Sequence, residues 1–162
     1  TAAVDVRRSA DGVHWSAPSR VQLEQPGFYP WHIDVEWLPT LGEYWALFNG
    51  KRAGSCTTPA LFLARSTDGV TWTTYPSPVL ARGAIHELED VVYRTTFSYD
   101  ADEDVVTLWY SGARFDGTQY VWRAAVERRA RSELLGTVAA AAPISARSLD
   151  PRPGVPPLTD AP

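Results

Sequence analysis

The chain has 162 residues, 44% of them apolar and 21% charged, a balance that supports a domain with a real core and argues against disorder throughout. Its formal net charge is -4, with 15 basic residues scattered along the chain, so the clustered positive charge of a nucleic-acid binder is missing, and no apolar run reaches the length of a membrane-crossing helix. No nucleic-acid or membrane partner is expected, and a single cysteine, Cys56, excludes an internal disulfide or a thiolate metal cage within the chain.

The first element is a short apolar strand, Val4 to Arg8. It enters Ser9-Ala10-Asp11-Gly12-Val13-His14-Trp15 and leaves through a second strand, Val21 to Leu23. Asp-Gly supplies the positive-φ position that a tight turn requires, and the Ser and Asp side chains can bond nearby backbone, so this stretch reads as a hairpin covered by Trp. The strand is already in progress at the first residues and the chain contains no Met, so further sequence upstream is expected. Next come a strand from His32 to Leu38, a turn, and the strand Tyr44-Trp45-Ala46-Leu47-Phe48-Asn49-Gly50. A third strand, Ala60 to Arg65, leads into Ser66-Thr67-Asp68-Gly69-Val70-Thr71-Trp72 and a fourth strand, Thr73 to Tyr75.

The two Asp-Gly hairpins stand 57 residues apart and share five of seven positions. A second repeated element, Val106-Thr107-Leu108-Trp109-Tyr110-Ser111-Gly112, answers Tyr44 to Gly50 at a spacing of 62. Strands are therefore also expected over Val91 to Tyr99, Val105 to Tyr110 and Tyr120 to Glu127, without a third hairpin of the Asp-Gly-x-x-Trp kind. Repeats of this length with four antiparallel strands each are the pattern of β-propeller blades. The fold class expected is all-β, with about two to three blades over residues 1–131. The Ala/Pro-rich stretch 132–162 is expected to be a tail with little regular structure. Closed propellers typically have four to eight blades, so upstream blades or further copies of the chain would be needed to complete a ring.

These features resemble the five-bladed propeller glycosidases: glycoside hydrolase family 43 and its relatives, the fructosidases, levansucrases and mannoside phosphorylases. The resemblance rests on the two hairpins, on His32-Ile33-Asp34-Val35 with Glu43 to Phe48, and on Leu108 to Gly112. The hairpins are also similar to the Asp-box of six-bladed sialidases, although no residue separates Asp from Gly here. What the resemblance implies is hydrolysis of oligo- or polysaccharide glycosidic bonds by carboxylate acid/base chemistry, in a protein secreted or periplasmic in bacteria.

In a propeller the first strand of each blade lines the central channel. Alternation along Trp31 to Trp37 places Ile33, Val35 and Trp37 on one face and His32, Asp34 and Glu36 on the other. Charge on an inner strand is costly to bury without partners, and function is one way such a cost is retained. By resemblance, Asp34 corresponds to an Asp that orients the general acid, with Val35 in place of the family's Pro. Glu89, and after it Glu87, fall where the family keeps that acid. An inverting glycosidase needs a second carboxylate about 6.5 to 9.5 Å from the first. The family's base lies on an earlier blade and has no counterpart here. Trp31, His32, Glu36 and Arg94 are the candidate substrate contacts, with Arg94 expected to pair with Asp34 or Glu89. No phosphate loop, nucleophile elbow or zinc pattern is visible, and no cofactor is expected, a channel calcium being left open. Two other readings stand beside the enzyme: a non-catalytic sugar-binding propeller and a structural interaction module whose aromatic residues are only core.

Overall fold

A computed structural model describes residues 3–52, 60–84, 90–140 and 154–156. Among the described residues there are antiparallel sheets and one helix. The short strands β1 (Asp5–Val6) and β2 (Ser19–Arg20) pair with each other. Strands β3 (Tyr29–Leu38), β4 (Glu43–Lys51), β5 (Ala60–Ser66) and β6 (Thr73–Thr74) follow in order across a second sheet, with β7 (Leu80–Ala81) also on β5. A third sheet holds β8 (Val91–Asp100), β9 (Val105–Phe115) and β10 (Tyr120–Ala130) in sequence order.

The chemistry of each strand sets its place. β4 and β5 are near-continuous apolar runs, Tyr44 to Phe48 and Ala60 to Ala64, and they lie in the middle of the second sheet with both faces covered. Trp45, Leu47, Leu61 and Leu63 pack toward the third sheet against Phe97, Val106, Leu108 and Tyr110. Ala46, Phe48, Ala60, Phe62 and Ala64 pack the other way, against Leu23, Val21, Phe28 and Trp72. Gly50 on β4 is required by that packing, because a Cβ there would sit 2.6 Å from a ring carbon of Phe62.

Both repeated hairpins adopt one geometry. The Ser9 hydroxyl donates to Asp11 at 3.0 Å and accepts from the Gly12 N–H at 2.8 Å, while one Asp11 oxygen accepts from the Val13 and His14 N–H groups at 2.9 and 2.8 Å. Ser66 and Asp68 repeat this at 2.9, 2.9, 2.7 and 2.8 Å. Gly12 and Gly69 take φ of 75° and 73°, the left-handed region open to glycine. The first hairpin closes β1 onto β2 and the second closes β5 onto β6. The two are stitched together where Gln22 N–H donates to Val70 O at 2.8 Å, and Trp72 N–H to Gln22 O at 3.1 Å.

One expectation for the end of the chain is corrected. Helix α1 (Arg131–Ala140) occupies the first part of the stretch expected to lack regular structure. Leu134 and Val138, four residues apart on one face, are fully buried in the core between the two larger sheets, and this burial is what an Ala-rich segment needs to hold a helix. Arg131 anchors its start: its Nε donates to Asp104 at 2.6 Å and its N–H to the Asp104 carbonyl at 2.9 Å.

Candidate functional site

The third sheet stands beside the second so that β8 runs next to β3. Their join is made by Asp34, whose Oδ2 accepts from the Thr96 hydroxyl at 2.8 Å and from the Phe97 N–H at 3.1 Å. β8 is an edge strand, so alternate N–H groups along it have no ladder partner, and Asp34 satisfies one of them. The alternation expected along β3 is present from Ile33 onward and is broken before it at Trp31-His32: Asp34 and Glu36 pair across from Leu47 and Trp45 on the face toward the third sheet, while Ile33, Val35 and Trp37 share the opposite face with Phe48, Ala46 and Tyr44.

The two facing edge strands each carry a bulge near their start, between Pro30 and Ile33 in β3 and between Val92 and Thr95 in β8. The residues inside the bulges are Trp31-His32 and Tyr93-Arg94. Bulges turn side chains out of the regular alternation, and here they bring four rings into one ridge across two sheets. His32 meets Tyr93 edge-on at 4.8 Å between ring centres, Tyr93 meets Trp122 of β10 at 5.2 Å, and Trp31 flanks His32 at 5.9 Å. Lys51, at the end of β4, places its Nζ 3.7 Å above the Trp31 ring centre. Trp31 and Trp122 are both partly exposed. The ridge is an apolar wall edged by cations.

Within this wall His32 Nε2 is buried and has no hydrogen-bond partner among the described residues. Burial, and after it the charge of Arg94, push the imidazole pKa below its ordinary value, which favours the neutral ring. A neutral imidazole nitrogen without a partner can accept from, or donate to, a ligand hydroxyl or amide. Of the residues singled out in the sequence, Trp31, His32 and Arg94 come together on or beside the ridge. Asp34 lies two residues further along β3, committed to the inter-sheet join, and Glu36 is exposed. Arg94 does not make the expected ion pair with Asp34; the bulge turns its guanidinium to 5.8 Å from the Tyr93 ring centre, and it is exposed. Glu87 and Glu89 lie outside the described residues. No group of three or more His, Cys, Asp or Glu able to hold a metal ion is present among the described residues.

Tyr93, Trp122 and Lys51 were missed by sequence reasoning. Tyr93 had a detectable signal: aligning the inner strands through the repeat sets Tyr93-Arg94 opposite Trp31-His32. Trp122 and Lys51 had none, because they reach the ridge from different strands.

No family model matches the chain, so none stands behind the resemblance to glycoside hydrolase family 43. A curated relative, the A type blood N-acetyl-alpha-D-galactosamine deacetylase of Flavonifractor plautii, is 29% identical over 160 residues, covering 92% of this chain and 19% of the relative. The chain thus spans about a fifth of that relative's length. The crystal structure of an N-acetylgalactosamine deacetylase from F. plautii in complex with blood group B trisaccharide matches at a TM-score of 0.72 and 24% identity, over 84% of this chain and 43% of that one. The second match is a likeness of fold. The similarity found is to a carbohydrate-active deacetylase.

Proposed function

We propose that this chain forms blades of a β-propeller in a carbohydrate-processing enzyme, and that the ridge Trp31, His32, Tyr93 and Trp122 is a wall of its sugar site. The observation that carries this reading is the unpartnered His32 Nε2 set among aromatic rings. Aromatic faces take up the apolar faces of sugar rings, and a fixed polar atom among them selects orientation. The relative of similar sequence is an N-acetylgalactosamine deacetylase, which favours an oligosaccharide ending in an N-acetylated amino sugar. The reaction that follows is hydrolysis of the acetamide, releasing acetate and leaving the amine on the sugar with the glycosidic bonds intact. Asp34 then serves as a positioning residue, fixing β3 against β8 so that His32 and Tyr93 stay in contact.

A second reading keeps the reaction at the glycosidic bond, with Asp34, Glu87 and Glu89 as the acidic groups. In that reading Asp34 orients the general acid, but its Oδ2 is already engaged by Thr96 and Phe97 of β8. One experiment separates the readings. Blood group A trisaccharide is titrated into the chain while the Trp indole N–H signals are followed, and the mixture is assayed for acetate and for newly exposed reducing sugar. Binding that shifts the Trp31 and Trp122 signals, and weakens at least tenfold in His32→Ala and Tyr93→Ala, is the expected result; tenfold corresponds to about 1.4 kcal/mol. Acetate without reducing sugar selects the deacetylase, and the reverse selects the glycosidase. Binding unchanged in both variants overturns the site.

A further inference from the structure

We infer that Asn49 is a positioning residue of the sugar wall, placed in an apolar setting at a cost to the fold because it ties the two bulges of the ridge together. The inference rests on reading that ridge as a sugar wall. On β4, Trp45 and Leu47 face the third sheet, and Asn49, next in the alternation, reaches Val92 of that sheet. Across the ladder Asn49 pairs with Leu61. Trp45, Leu47 and Leu61 are each 1% exposed, and so is Asn49. Packing alone selects leucine at such a position. A buried amide loses its hydration and has to regain it in hydrogen bonds. Asn49 regains little: its Nδ2 donates to Val92 O at 3.3 Å, beyond the usual range for such bonds, and its Oδ1 has no partner among the described residues.

The place of Asn49 in the ladder gives the reason for an amide there. Pro30 pairs with Gly50 and Ile33 with Phe48, so Asn49 lies across from the bulge that extrudes Trp31-His32. Val92 is the last residue of β8 before the bulge that extrudes Tyr93-Arg94. One side chain therefore links the strand opposite the first bulge to the start of the second. Asp34 makes a second link on the other side of the bulges, to Thr96 and Phe97, so the His32-Tyr93 contact is held from both sides. The repeat supplies an independent argument. Aligning Tyr44 to Gly50 with Val106 to Gly112 makes Ser111 the counterpart of Asn49. Ser111 lies across from the bulge Tyr93-Arg94, and its Oγ donates to Arg94 O at 3.3 Å. In both units the polar residue before the glycine bonds a carbonyl of that bulge, Asn49 at Val92 O and Ser111 at Arg94 O. A polar residue that breaks the apolar pattern of a core strand and stays half satisfied is expected where function, and not packing, sets the choice.

Asn49→Leu in the full chain separates fold from function. The variant is expected to melt at or above the temperature of the natural chain, because it removes an unsatisfied amide from an apolar place. Its affinity for blood group A trisaccharide should nevertheless fall by about tenfold or more, since the wall is no longer held in register. The nuclear Overhauser contact between the His32 and Tyr93 rings, measured without ligand, should weaken in parallel. A natural chain that binds the trisaccharide, beside an Asn49→Leu chain that binds it equally well, overturns the inference and leaves the wall standing. A natural chain that binds no trisaccharide overturns the wall, and the inference with it. An Asn49→Leu chain that folds but melts several degrees lower makes Asn49 a support of the fold and overturns the inference as well. If leucine is too bulky for the chain to fold, Asn49→Ala takes its place: the same loss of affinity is expected, and undiminished binding overturns the inference.

Discussion

Replacing Asp34 by Ala removes the two hydrogen bonds that join β3 to β8. A hydrogen bond to a charged group contributes about 1.5 to 3 kcal/mol, and a buried N–H left without a partner costs roughly 1 to 3 kcal/mol. The Thr96 hydroxyl is exposed and regains water, so its bond contributes at the low end. The Phe97 N–H lies on the strand edge facing β3, beside a buried side chain, and loses more. The expected destabilisation is about 2 kcal/mol, which for a chain of this length lowers Tm by roughly 4 to 8 °C. Thr96→Val removes one bond and should cost about 1 kcal/mol or less. Because the two residues share one carboxylate oxygen, the double variant should lose less than the sum of the singles, and a thermal-unfolding cycle measures that coupling. The same variant should also move the His32 ring signals, since the join holds His32 against Tyr93. An Asp34→Ala protein that melts within about 1 °C of the natural chain would refute the join as a stabilising element.

Trp72 packs on the core of the second sheet while its repeat counterpart Trp15 is exposed, so Trp72→Ala should destabilise by about 3 kcal/mol and Trp15→Ala by less than about 1 in denaturant unfolding. The backbone N–H groups of Thr71 and Val70 and the Ser66 hydroxyl hold the Asp68 carboxyl at about 2. A depressed carboxylate stabilises the fold above its unfolded pKa and loses that contribution as pH falls through the folded value. The hairpin should therefore keep its support at pH 4 and above, weaken as pH falls toward 2, and show no such step in Asp68→Asn, read from the chemical shifts of Val70 and Thr71. For His32 the sign is different in origin: the folded state disfavours the charged ring, so the unfolded chain binds more protons below its ordinary pKa of 6.5, and stability falls on acidification through that range. Arg94→Gln should raise the His32 pKa in an NMR titration, and an unchanged midpoint would exclude Arg94 as a cause.

Much of the fold was legible because it is local. The alternation along β3, the apolar runs of β4 and β5 and the two Ser-x-Asp-Gly-x-x-Trp hairpins each specify a strand or turn from residues a few positions apart. Helix α1 was not legible, since an Ala-rich segment following a strand holds a helix only because Leu134 and Val138 find a core built by residues far away in the chain. The same limit applies to the candidate site. Trp31 and His32 stood out by type, but the partners that make them a wall, Tyr93, Trp122 and Lys51, come from three other strands. Arg94 was named as a partner for Asp34 or Glu89 from its apolar neighbours alone, which do not reveal that a bulge sits at Tyr93-Arg94.

That bulge links the fold to the candidate function. β3 and β8 carry the same irregularity at corresponding positions, before Ile33 and before Thr95, and each extrudes an aromatic residue followed by a basic one, Trp31-His32 and Tyr93-Arg94. A regular strand would divide such a pair between its two faces. With both strands bulged at the same level, and with Asp34 fixing their separation a short distance further on, the extruded rings meet across the seam between sheets. The repeat unit itself therefore produces the ridge, and the two versions of the unit differ there in composition while agreeing in backbone. Such divergence suits a ligand wall better than a core, because a core contact repeated at equivalent positions is held to matching volumes, whereas a wall facing a ligand is free to present a neutral imidazole in one unit and a guanidinium in the next.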